Sequence, residues 1–349
     1  MRGAYGLGGP LTRSFLAASP TGRGGFLAAA ARQRELSLLV IMLVLSAIVF
    51  VRAPQFLSAA NLSQVTILAA IIGVAAVGEA LVVLTRNVDL SVDSIIGLVA
   101  YSVADILKLH ALALPQAIAF GIGLGLVLGV VNGAIVAVLR VPAIVATLGT
   151  LSIYRGMAYL IAGGGQISLS DLPPEYVALA RISFLGIPLI VIMAVVIAVT
   201  TGLFLKQARF GRQVYAVGSN PEAAAILGIR SRLVVFVVFA ECGLLAGVAG
   251  VLWGARFGTI TAGAADGAVL QIVAAVVVGG VNIFGGSGTV LGAALGALFL
   301  GLIANALTLL HLSQFWLQAI YGAVILVAVA ADAVIVRRML RASVERRQR

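Results

Sequence analysis

The side chains that could do chemistry are a few ionisable and amide groups within long apolar stretches of the chain. An ionised side chain is costly to place among apolar residues, so each one is a candidate for a functional role. Asp89 and Asp93 flank a polar break, where Arg86 could pair with either carboxylate. We expect either a satisfied structural pair at a bent helix or polar groups beside a permeation route. The candidates for such a route are Glu79, Asp89, Asp93, Asn132 and Asn305.

The residue types needed for catalysis or metal binding are sparse. His110 and His311 lie far apart in sequence, and the single cysteine, Cys242, excludes disulfides and CxxC redox chemistry. No Ser–His–Asp constellation is recognisable, and no dense ladder of carboxylates supports a proton- or sodium-coupled relay. The segment 280–287 imitates a phosphate-binding loop, but Gly286 stands where the phosphate-reaching lysine belongs. The sequence therefore predicts no catalytic residues, no metal site and no cofactor.

Glycines recur every four residues in one apolar run, at Gly121, Gly125, Gly129 and Gly133. Residues spaced by four lie on one face of a helix, and the absence of side chains there lets two helix backbones approach closely. Tight helix packing is the favoured interpretation, and a pore lined by these glycines is the alternative.

The longest polar segment between apolar runs covers residues 206–232. It predicts one short helix over residues 218–229, which Ser219 or Asn220 could cap and Gly228 could end. A short amphipathic helix flanked by basic residues is typical of a docking element. A solvated loop is the alternative.

These segments belong to a chain of 349 residues that is 62% hydrophobic and 10% charged, with a mean hydropathy of +1.16. Soluble proteins are nearer half apolar and about a quarter charged, so a soluble enzyme is excluded. The unbroken apolar runs also exclude a transmembrane β-barrel. The sequence predicts an all-α polytopic membrane protein with about ten transmembrane helices. They lie near residues 36–53, 62–84, 92–108, 116–139, 143–162, 184–205, 233–253, 267–284, 288–309 and 315–336.

The distribution of basic residues predicts the orientation. Eighteen of the 23 lysines and arginines fall in segments that ten spans would place on one side, so both termini are expected in the cytoplasm. The net charge of +11 is therefore explained by membrane orientation and not by nucleic-acid binding. We expect a disordered cytoplasmic tail at 1–34, a transmembrane domain at 35–337 and a basic cytoplasmic tail at 338–349.

Several stretches resemble the permeases of sugar-type ABC importers, the membrane subunits of ribose, rhamnose, arabinose and autoinducer-2 uptake systems. The matching stretches are 84–92, 141–150, 154–156, 211–229 and 278–288. The resemblance extends from the first apolar run to the last, and the long arginine-rich N-terminal stretch departs from it. The coupling segment of this family matches Gly211, Arg212, Gly218, Asn220, Glu222, Ala223, Ala224 and Gly228.

The resemblance implies an importer-type ABC permease fold in the inner membrane of a prokaryote. It implies a second permease copy, as a homodimer or heterodimer, two cytosolic ATPase subunits that hydrolyse the ATP, and an extracytoplasmic solute-binding protein. The substrate would be a monosaccharide or a similar small polyol. A stand-alone secondary transporter or facilitator for a small polar solute is the alternative.

Overall fold

The computed structural model describes residues 23–327 and 329–330. The predicted basic tail at 338–349 and residues 1–22 of the predicted N-terminal tail lie outside the described residues. Helix α1 begins at Arg23, so residues 23–34, which we expected to belong to the tail, are helical.

The described chain is mostly helical. Its helices are α1 Arg23–Arg52, α2 Ala59–Leu84, α3 Val92–Lys108, α4 Leu114–Gly133, α5 Ala143–Ala162, α6 Pro174–Ala178, α7 Leu189–Gln207, α8 Arg209–Ser219, α9 Pro221–Ile226, α10 Ser231–Arg256, α11 Ala268–Val278, α12 Val290–Leu309 and α13 Phe315–Val327. A π-helical turn, Ala134–Val138, extends α4, and two 3-10 turns lie at Pro54–Leu57 and Leu169–Asp171.

Seven of these helices are long and apolar enough to cross a membrane: α1, α2, α4, α5, α7, α10 and α12. Helix α3 has 17 residues, and α11 and α13 are shorter apolar helices. The prediction of an all-α polytopic membrane protein is confirmed. The predicted span 267–284 is helical only over Ala268–Val278, and 11 residues rise about 17 Å, which is less than the ~30 Å of a bilayer core.

Four short strands are the only β-structure in the described part of the chain. Strand β1, Ile167–Ser168, pairs with β4, Thr259–Ile260, and β2, Ser183–Phe184, pairs with β3, Ile187–Pro188. The β2–β3 hairpin shortens the predicted span 184–205, because α7 begins only at Leu189.

Helix α2 forms the centre of the core. It is buried without interruption from Ala69 to Leu84, and α7, α10, α11 and α12 pack around it. A helix that is apolar on every side is stable only when other helices cover it. The many alanines and glycines of α2 leave room for these neighbours to pack closely.

The glycine row of α4 faces α10, and the two backbones nearly touch. A Cβ atom added to Gly125 would lie 2.5 Å from the carbonyl oxygen of Gly243, and one added to Gly129 would lie 2.5 Å from that of Phe239. Gly243 and Gly247 of α10 lie against the same row. The structure therefore places these glycines at a helix–helix contact.

We expect Gly125→Leu to reduce the amount of folded protein strongly, because the new side chain would have to push α4 and α10 apart. The matched control is Gly123→Leu on the same helix, since an added Cβ there meets nothing within 4 Å. The recovery of monodisperse protein in detergent measures the effect. Equal recovery of the two variants would contradict this assignment.

Candidate functional site

A network of buried polar side chains surrounds Asp89, in the loop between α2 and α3. Its Oδ1 accepts hydrogen bonds from the Ser91 backbone at 2.9 Å and the Ser91 hydroxyl at 2.7 Å. The Asn132 amide, on α4, donates to Asp89 Oδ2 at 3.2 Å and to Ser91 Oγ at 2.7 Å. The backbone N–H of Asp89 donates to Glu79 Oε1 on α2 at 3.0 Å.

The network reaches two further helices. The Tyr154 hydroxyl, on α5, lies 3.1 Å from both Asn132 Oδ1 and the Leu128 carbonyl oxygen and can donate to either. Cys242 of α10 lies with its sulfur 3.9 Å from Glu79 Oε2. Glu79, Asp89 and Asn132 are completely buried. The structure therefore brings these three predicted route residues together in a satisfied cluster that connects α2, α4, α5 and α10.

Asp93 belongs to a different group of charges. Its Oδ1 lies 3.8 Å from an Arg155 nitrogen, and Asp266 Oδ1 lies 3.7 Å from the same nitrogen. Arg155 also donates to the carbonyl oxygens of Ala262 and Ala264, at 3.2 and 2.8 Å. These contacts join α3 and α5 to the segment that precedes α11. The expected pairing of Arg86 with Asp89 or Asp93 is wrong, because Arg86 points to the end of α8 instead.

Asn305 is separate from both groups. Its amide exchanges two hydrogen bonds of 2.8 Å with the amide of Asn61, and this pair joins α12 to the start of α2. Two cavities, of about 380 and 420 Å³, are lined in part by residues of α7. None of the five predicted route residues lines either of them. The cavity of about 420 Å³ is instead lined by Thr200, Thr201 and Glu241, among other residues.

The polar segment 206–232 folds as two helices and not as the single helix we expected. Helix α8 ends at Ser219, and α9 covers only Pro221–Ile226. Of the two possible caps it is Asn220 that caps α9, and its side chain accepts from the N–H groups of Glu222 and Ala223. Gly228 follows the helix with a φ of +78°, the left-handed conformation typical of a helix end.

The predicted coupling residues divide by burial. Gly211, Gly218 and Ala224 are buried, whereas Arg212, Asn220, Glu222, Ala223 and Gly228 are exposed. An added Cβ at Gly211 would collide with the backbone of Leu205, so this glycine permits the turn between α7 and α8. Two large apolar side chains at the end of α9, Ile226 and Leu227, are 87% and 77% exposed, and no motif in the sequence marks them.

Helix α8 packs against the loop between α11 and α12. The Tyr215 hydroxyl donates to the Gly288 carbonyl oxygen at 2.9 Å, and burial raises the pKa of Tyr215, so the phenol keeps the proton it donates. Ser219 Oγ lies 3.4 Å from the Gly286 carbonyl oxygen. These contacts fix α8 against the loop between α11 and α12.

The comparison with known proteins identifies the chain's relatives. Residues 61–329 match the family described as "Branched-chain amino acid transport system / permease component". The "Autoinducer 2 import system permease protein LsrC" of Shigella flexneri is 38% identical over 299 residues, or 86% of each chain. The protein of that name from Escherichia coli O157:H7 is 37% identical over the same share, and that from Salmonella paratyphi B is 39% identical over 80% of each chain. No solved structure matches the chain significantly.

Proposed function

This chain belongs to the branched-chain amino acid transport system permease family and is a permease subunit of an ABC importer, and from that premise we propose that it imports a monosaccharide or a similar small polyol. Support for this substrate class comes from the relatives, whose names refer to autoinducer 2 and whose similarity extends over most of both chains. Ribose, rhamnose and arabinose are the further candidates that the sequence motifs suggest.

The transport energy comes, in this proposal, from ATP hydrolysed by separate cytosolic subunits that dock on the α8–α9 segment. The observation that carries the proposal is the exposed apolar pair Ile226 and Leu227 at the end of α9. Large apolar side chains on a short polar segment are typical of a protein–protein contact. Arg212 and Glu222, both exposed, would place charges at the rim of that contact.

A second permease copy and an extracytoplasmic solute-binding protein complete the proposed importer. Helix α5 offers a surface for the second copy, because it leaves Ile153, Met157 and Leu160 exposed along one apolar face. Such a face must be covered by lipid or by another membrane helix. The solute-binding protein would deliver the substrate, and the permease would pass it between the two sides by alternating access.

The proposed topology has both termini in the cytoplasm of a prokaryotic cell, with the chain in the inner membrane. It follows from the positions of the basic residues, including Arg86, Arg140 and the arginines of segment 206–232. We expect a reporter that is active only in the cytoplasm to be active after Arg349 and inactive after Asp171. The opposite pattern of activity would contradict the topology.

The experiment that tests the function is transport by a reconstituted complex. The chain is purified with an ATPase subunit and a solute-binding protein from the same genome and placed in vesicles. Uptake of labelled ribose, rhamnose, arabinose and autoinducer 2 is then measured. We expect accumulation of one solute that requires ATP and the binding protein together. Uptake by the chain alone, without ATP, would support the stand-alone transporter instead.

A further inference from the structure

We propose that Arg86 is a positioning residue that transmits movement of the α8–α9 segment to the buried network around Asp89. It would act through the loop of residues 85–91, which separates α2 from α3. This inference rests on the proposed docking of an ATPase on α8–α9. It adds a connection between that docking surface and the interior of the transmembrane helices.

The first step is the contact between Arg86 and the end of α8. The Arg86 guanidinium donates through Nε to the carbonyl oxygen of Gly218 and through a terminal nitrogen to that of Ser219, at 2.7 Å. The last carbonyls of a helix lack partners within the helix and carry partial negative charge. A planar guanidinium can satisfy two of them at once, which a lysine ammonium cannot do in the same geometry.

The second step is that α8 is held tightly at this point. A Cβ added to Gly218 would collide with the carbonyl oxygen of Leu84, the last residue of α2. That same oxygen accepts a hydrogen bond of 3.0 Å from the Gly286 backbone. The end of α8 is therefore packed between the loop that contains Arg86 and the loop between α11 and α12, so it cannot shift without moving them.

The third step is the short path from Arg86 to the network. Asp89 lies three residues further along the chain and is held by Ser91, Asn132 and Glu79. The carbonyl oxygen of the intervening Val88 lies 3.4 Å from the Thr147 hydroxyl of α5, which donates instead to the Ala143 carbonyl oxygen of its own helix at 2.8 Å. The loop is thus bonded to α8 at Arg86 and to α2 and α4 at Asp89, with only two residues between these points, so a displacement of α8 is expected to move Asp89.

The backbone at Arg86 supports a specific role for the residue. Its φ is +67°, a left-handed conformation that is uncommon for a residue with a side chain, and its N–H still donates to the Val83 carbonyl oxygen at 2.9 Å. Glycine would adopt this conformation with less strain. The presence of arginine is explained by the two hydrogen bonds its side chain makes with α8.

The test compares Arg86→Ala with Arg140→Ala in the complete reconstituted complex. Arg140 is a matched control, because it is an exposed arginine in the loop between α4 and α5 and has a similar φ of +61°. The measurement is the ratio of ATP hydrolysis with loaded binding protein to hydrolysis without it. We expect this ratio and solute uptake to fall about tenfold in Arg86→Ala, which is within the usual range of coupling between sites, and to stay at wild-type levels in Arg140→Ala. Arg86→Lys should recover part of the loss.

Co-purification of the ATPase separates this inference from the proposed function. If Arg86→Ala retains the ATPase but loses stimulation, Arg86 transmits the movement. If Arg86→Ala loses the ATPase as well, or keeps full stimulation, the transmitting role is wrong. If the wild-type chain itself binds no ATPase, the proposed function fails, and the inference fails with it.

Discussion

Replacing Ile226 and Leu227 together with aspartate is expected to abolish ATP-driven uptake. The two side chains are 87% and 77% exposed at the end of α9, so the substitution leaves the packing of the permease intact. In a docked complex the side chains at positions 226 and 227 would be buried against the ATPase. Burial of the unpaired carboxylates that replace them is strongly unfavourable. Truncation of a hot-spot side chain costs about 2 kcal/mol or more, so the loss of two such contacts should weaken ATPase binding by more than about a hundredfold.

The control for this variant is Leu185→Asp. Leu185 lies in the β2–β3 hairpin and is 88% exposed, so it tests the same change at an equally exposed leucine in a different part of the molecule. The measurements are co-purification of the ATPase and uptake by the reconstituted complex. Normal ATPase binding by the double variant would show that α9 is not the docking surface.

Ala224 is one of the predicted coupling residues, and the structure places its side chain in the packing of α9. Ala224 is 2% exposed and faces the permease itself, so a bulky residue there would disturb the packing of α9 before it touched any partner. Helical spacing alone could not show this, because the direction of α9 depends on the turn at Asn220 and on the contacts of α8. The apolar pair Ile226–Leu227 is visible in the sequence, but its exposure is not.

Most of the fold follows from the sequence because membrane helices are specified by length and apolar content. The apolar runs predict all seven long helices, and Pro142 and the glycines near 285 mark real breaks. The shortness of α11 was missed. The helix ends at Val278 because Gly279 and Gly280 follow it, although apolar residues continue beyond them. At this point the backbone of Gly279 packs directly against that of Gly292 in α12.

The candidate site was less predictable, because the role of a buried polar residue depends on which groups the fold brings into contact with it. The sequence identified Glu79, Asp89 and Asn132 as unusual but could not show that they meet, since they belong to α2, a loop and α4. From the sequence we expected Arg86 to pair with Asp89 or Asp93, because these carboxylates are close to it along the chain. The actual partner lies 132 residues away, at Gly218, and is a backbone oxygen that no pattern of side chains reveals.

Replacing Asp89 with leucine is expected to destabilise the protein by more than any other single change in the buried network. Leucine would leave the Ser91 N–H, the Ser91 hydroxyl and the Asn132 amide without the oxygens they now reach. Each buried donor left without a partner costs about 1–3 kcal/mol, so a loss on the order of 3 kcal/mol or more is expected. Asp89→Asn retains one acceptor oxygen and should lose less. The unfolding temperatures in detergent of the wild type, Asp89→Asn and Asp89→Leu measure this effect, and we expect them to fall in that order.

The matched control is Asn305→Leu, which removes one partner from the part-buried pair between α2 and α12 and should lower the unfolding temperature less. Uptake by the same variants then decides between the two roles that the sequence leaves open for Asp89. A fall in stability that parallels the fall in uptake indicates a structural carboxylate. If Asp89→Leu unfolds at the wild-type temperature yet transports nothing, the network is not needed for stability and Asp89 acts on the solute's route. The complete burial of the residue and its three hydrogen bonds favour the first outcome.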